Sequence, residues 1–181
     1  MAESFVTPEY FKKINKDEAR FIFEHAEKQL KETLDTSILI VNRTTTLLTI
    51  TVGLMAALVG FIVSRLDKMG KFDALLVLSL IALVYLFILA VLLCRNILAK
   101  NYLIAGAEPK DFFLDNFFNE GSTNDNRIIC FYVNEIESYQ ERITKNKQAN
   151  EKRWKLFNNC IKMIVAMPIV FGIIYLIIYL V

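Results

Sequence analysis

The chain has few of the residues that build chemical sites. Among 181 residues there is one histidine, His25, and there are three cysteines, Cys94, Cys130 and Cys160, with no paired spacing. That excludes a Cys/His metal cluster and a disulfide framework as organising features. No phosphate-binding Gly-rich loop, dinucleotide fingerprint, HExxH or GxSxG occurs, and the acidic residues interleave with lysines as on a solvated helix face. An enzyme is therefore not expected, and no cofactor or metal is expected. The start is rich in Lys and Glu, which argues against a cleavable signal peptide, and Ala2 stands where myristoylation needs glycine. Glycine and proline are scarce, and none interrupts Lys16 to Val52, so one long helix is expected there.

Charge is also missing, locally. Thr44–Ser64, between Arg43 and Arg65, is 21 residues without one charged side chain. As a helix it spans roughly 32 Å, the thickness of a bilayer's hydrocarbon core. Ala74–Cys94, between Asp73 and Arg95, is a second such stretch, and Met163–Val181 is a third, containing Pro168 and Gly172. With 55% hydrophobic residues and a mean hydropathy of +0.39, the chain reads as a membrane protein. The expected class is an all-α membrane protein with three transmembrane helices and helical cytosolic extensions, assembled as a symmetric homo-oligomer. The expected organisation is an N-terminal arm and helix (1–43), a transmembrane hairpin (44–94, spans 44–64 and 74–94), a cytosolic helical region (95–162) and a third span (163–181).

Between the spans, Asn15 is placed to cap the first helix, with Asp17 and Glu18 in its first turn. Gly70 is the natural turn of the connection Leu66–Asp73. Arg95–Leu103 is expected to extend the second helix. Asp111–Asn119 forms a short amphipathic segment, Gly121–Asn126 a loop, and Ile128–Asn159 a long helix whose first residues are also β-prone. Seven Lys and Arg precede the first span, eleven lie in 95–162 and three lie in the short connection. Positive-inside then puts the N-terminus and the middle block in the cytosol and the C-terminus outside. Trp154, Tyr175 and Tyr179 suit interfacial positions, and His25 reads as a packed or surface side chain.

Three features carry functional information. The first span has a polar and small-residue stripe: Asn42, Thr46, Thr49, Gly53, Ala56, Gly60 and Ser64. It is either a helix-packing face or the wall of a pore, and a pore requires a ring of subunits, a tetramer or larger. The second feature is a basic run before the third span: Arg142, Lys145, Lys147, Lys152, Arg153 and Lys155. Arg142, Lys145, Lys152 and Arg153 are candidates to bind a phosphorylated ligand, against a plain role as lipid-touching anchors. The third is the pair Arg43 and Arg95 at one end of the spans, a candidate pore mouth, or cations snorkelling to headgroups.

The layout also resembles a known group. A long helix leads into a hairpin of two spans. A polar block follows with Phe112-Phe113-Leu114-Asp115-Asn116-Phe117-Phe118, and then Asn150-Glu151-Lys152-Arg153-Trp154-Lys155-Leu156-Phe157 runs into a third span. This resembles the small transmembrane effectors of bacterial antiphage systems, the SLATT-type and Pycsar-type proteins and the channel subunit of the Hailong system. The resemblance implies an oligomeric ion channel or pore-forming effector of abortive infection. Its signal would be a nucleotide or oligonucleotide made by a partner nucleotidyltransferase. The alternative is a non-conducting membrane anchor or scaffold that recruits a cytosolic partner.

Overall fold

The computed structural model describes residues 13–69, 74–98, 103–104 and 123–180. Asp111–Asn119, the arm before residue 13 and the turn at Gly70 lie outside the described residues. Among the described residues there are three α-helices and no strand: α1 (Lys16–Met69), α2 (Ala74–Ile97) and α3 (Asn124–Leu180). All three are long and apolar enough to cross a membrane, the layout of a multi-pass membrane protein.

The helix ends have local causes. At the start of α1, Asn15 Oδ1 accepts from Glu18 N–H at 2.8 Å, and Glu18 Oε2 accepts from Asn15 N–H at 3.0 Å. This reciprocal box satisfies two backbone donors. α1 then runs four residues past Arg65, so Leu66–Met69 is helix rather than connection. The expected extension of α2 to Leu103 does not occur. α2 stops at Ile97, and the backbone at residues 103–104 is irregular. The carbonyl of Asn96, in its last turn, is taken by a side chain of α3, described below. The expected loop Gly121–Asn126 is shorter than its composition suggests: α3 begins at Asn124, with Thr123 Oγ1 accepting from Asn126 N–H at 3.3 Å. The β-prone run Ile128–Val133 is helical, and α3 continues through Pro168.

The described residues form two compact units, one of residues 13–37, 103–104 and 123–150, the other of residues 38–69, 74–98 and 151–180. In the first, α1 and α3 run parallel. Lys16 pairs with Asp125 at 3.3 Å, Phe23 meets Tyr132 at 5.2 Å between ring centroids, and Leu30 packs with Tyr139 and Ile143. Five of the buried positions of α3 here, Ile136, Tyr139, Ile143, Asn146 and Asn150, alternate in steps of three and four; Ile129 and Glu135 are buried as well. Such steps average 3.5 residues and keep one seam facing a partner helix. Two asparagines sit in that seam. Asn146 Nδ2 donates to Leu103 O (3.0 Å) while its Oδ1 accepts from Leu103 N–H (3.3 Å), and Asn150 Nδ2 donates to Thr33 O (2.7 Å).

In the second unit, Leu86, Leu89 and Leu93 of α2 pack with Cys160 of α3, flanked by Leu47, Leu48, Met55 and Leu58 of α1. α1 and α2 are antiparallel: Asn96 reaches Thr44 at one end, and Phe61 and Leu78 line the same apolar groove toward the other. Much of the remaining surface is apolar and open, including Ile50, Val63, Val84, Phe87, Val165, Ile169 and Leu176. In water so large an exposed patch promotes aggregation; against acyl chains it costs nothing.

Candidate functional site

The site begins with the phase of α1. Its seam in the second unit is formed by the buried and half-buried Ile40, Thr44, Leu47, Thr51, Met55, Leu58 and Ile62, with Val41, Leu48 and Arg65 half-buried beside it. The stripe Asn42, Thr46, Thr49, Gly53 and Gly60 runs about two residues ahead, roughly 200° around a helix of 3.6 residues per turn. It therefore lies opposite the seam, and Asn42, Thr46, Thr49, Gly53, Ala56, Gly60 and Ser64 are all exposed. A Cβ built on Gly53 or Gly60 meets nothing within 4 Å. Among the described residues, nothing packs over this face at Gly53 or Gly60.

The hydroxyls of the stripe are already committed as donors. Thr46 Oγ1 donates to Asn42 O and Thr49 Oγ1 to Thr45 O, both at 3.0 Å. Each bond folds the hydroxyl hydrogen back along the helix and leaves oxygen lone pairs outward. The stripe thus offers acceptors and small gaps, with no charge.

At the Arg43 end of the spans the structure holds a polar cluster that charge patterning alone does not reveal. Thr44 Oγ1 donates to Ile40 O at 2.7 Å and accepts from Asn96 Nδ2 at 3.0 Å. The carbonyl of Asn96 accepts from Arg153 Nε at 3.0 Å and Nη2 at 2.7 Å. Thr44, Asn96 and Arg153 are no more than 3% exposed. One chain of bonds therefore ties α1 to α2 and α2 to α3, and a guanidinium caps the C-terminal end of α2. The signal that finds these residues is phase. Asn146, Asn150, Arg153, Phe157 and Cys160 keep the same alternation of three and four as the apolar seam.

The basic candidates separate accordingly. Arg153 is buried in this cluster. Lys152 is exposed in the same unit. Arg142 and Lys145 stand in the other unit. There Arg142 Nη1 donates to Ile104 O at 2.8 Å and its guanidinium lies 5.9 Å from the Tyr139 ring. Lys145 Nζ donates to Glu141 Oε1, one turn earlier, and this bond and charge hold the Glu141 carboxyl below its usual range. Arg95 is exposed. The Arg43 guanidinium stands 5.6 Å over the ring of Trp154, which in turn stacks on Phe157.

Farther along the spans, Leu54, Phe61, Leu78, Ala82, Met167, Pro168 and Phe171 help to line an open apolar cavity of about 600 Å³. The ring of Phe171 is met edge-on by Tyr85, whose hydroxyl donates to Met163 O at 2.8 Å. Comparison with family models, with curated proteins and with solved structures finds no match for this chain.

Proposed function

We propose that the chain is the subunit of an oligomeric ion channel or pore-forming effector in a bacterial inner membrane, with the stripe of α1 as the pore wall. The observation that carries this is the bare face opposite the α1 seam. A lone span facing lipid has no use for a row of Asn, Thr and Gly, and this chain's other helices leave the row uncovered. Outward lone pairs on Thr46 and Thr49 suit water and permeating ions. In a ring of subunits, α1 supplies the lining and α2 and α3 stand behind it.

Control belongs to the Lys- and Arg-rich part, read as cytosolic. The helices α1 and α3 pass unbroken from that part into the spans. The resemblance to antiphage effectors supplies the signal: a nucleotide or oligonucleotide from a partner nucleotidyltransferase, with Arg142 and Lys145 as its contacts. Arg153 is better read as a strut than as a contact.

A second reading, a non-conducting anchor that recruits a cytosolic partner, draws on Gly53 and Gly60. Two glycines seven apart on one face suit close helix approach as well as a lumen. Current recording from purified protein in planar bilayers separates the two. The channel reading expects unitary currents, reduced in Thr46→Leu and Thr49→Leu while the oligomer persists. Protein that never conducts, with or without nucleotide products, leaves the anchor.

A further inference from the structure

We propose that the Arg43 end of the three spans is a binding site for the phosphate headgroup of anionic phospholipids, centred on Arg43 and Trp154 with Arg95, Lys152 and Lys155 around it. The site rests on the membrane-crossing helices alone, so a protein that never conducts still carries it.

The buried cluster sets the geometry. Its bonds hold Thr44, Asn96 and Arg153 at one level of the bundle. The exposed cations are their immediate neighbours in sequence: Arg43 beside Thr44, Arg95 beside Asn96, Lys152 beside Arg153, and Lys155 two residues on. At about 1.5 Å per residue, all stand within one helical turn of the cluster. The charge at this level is one-sided. Among the described residues within one turn of the cluster, Glu151 is the only carboxylate. At the opposite end of α1 the ionisable residues are Arg65, Asp67 and Lys68, so both signs occur there. The level is also a boundary, because the charge-free stretch of α1 starts at Thr44 and that of α2 finishes at Cys94. Lipid phosphates of one leaflet lie at that depth.

Arg43 is shaped for the ligand. Its guanidinium rests over the Trp154 ring, and no acceptor among the described residues bonds it. A stacked guanidinium keeps its N–H groups at its edge, where two of them match two phosphate oxygens. Trp154, 37% exposed, supplies the amphipathic ring that such a depth favours.

Trp154 is the chain's one tryptophan, so the unaltered protein reports on its own site. The experiment titrates protein in dodecyl maltoside micelles with phosphatidylglycerol or phosphatidylcholine and follows tryptophan emission. The expected result is a saturable change with phosphatidylglycerol, weakened by salt and absent with phosphatidylcholine. Lys155→Gln, which leaves the Arg43–Trp154 contact in place, raises the half-saturating mole fraction about fivefold, and Arg43→Gln does so at least as much. Circular dichroism confirms that both variants are folded. An equal response to both lipids, or unchanged midpoints in folded variants, overturns the proposal. Saturation of the same signal by millimolar inorganic phosphate assigns the site to a free anion and overturns it as well.

Discussion

Arg153 and Asn96 face each other inside the second unit, yet their side chains are not worth the same. Arg153 donates twice to the Asn96 carbonyl, and truncating it leaves a buried acceptor at a helix end with nothing to bond. Asn96 gives one bond, to Thr44, and its Oδ1 is buried without a partner. Replacing Asn96 by Leu still leaves Thr44 bonded to Ile40 and removes that orphan oxygen. Arg153→Met should therefore cost about 1–3 kcal/mol, and Asn96→Leu less than about 1 kcal/mol. Thermal unfolding in detergent measures both, and the opposite order would refute the capping role. In sequence Arg153 was one cation in a run of six; only its phase with Phe157 and Cys160 marks it as buried, and charge counting hides phase. Glu141 is a simpler case. Its Lys145 bond lowers the carboxyl's pKa, so this contribution is present above the usual carboxylate range and is lost as pH falls through the lowered value. Lys145→Gln should bring the Glu141 titration, followed by carboxyl NMR, back up to the ordinary range; no upward move would discard the pair.

Helices whose ends are set by adjacent residues were legible, and those set from afar were not. Asn15, with Glu18 three residues on, announces the start of α1, and the capping box is there. Asn15→Ala should cost about 1 kcal/mol, seen as a lower melting point for the same helical content at low temperature. An unchanged melting point would mean that the first turn contributes nothing to stability. The end of α2 is different. Nothing between Cys94 and Leu103 stops a helix, and the expected extension followed from that. There a guanidinium 57 residues away takes the Asn96 carbonyl, a bond that no residue beside it in sequence announces. The start of α3 was misjudged for another reason: Asn124, Asp125 and Asn126 favour turns, but the same short polar side chains also suit the first turn of a helix.

For the whole molecule, three spans were visible because a bilayer demands about 20 residues free of charge, a pattern no soluble core imposes so sharply. Which face of α1 looks outward was not visible until the seam fixed the phase. That face now gives a test of assembly. Alanine at Gly53 and Gly60 adds methyl groups into open space and favours the helix by up to about 1 kcal/mol each. The single chain has no reason to lose stability, so any loss of assembly must come from a contact with another copy. With the stripe as a pore wall, the double variant Gly53→Ala/Gly60→Ala should keep its oligomeric mass by native mass spectrometry and its melting point. Leucine at the same two positions should then narrow the lumen and lower unitary conductance. Should alanine alone break the oligomer while helical content holds, the stripe is where copies pack together, and the wall of any pore lies elsewhere.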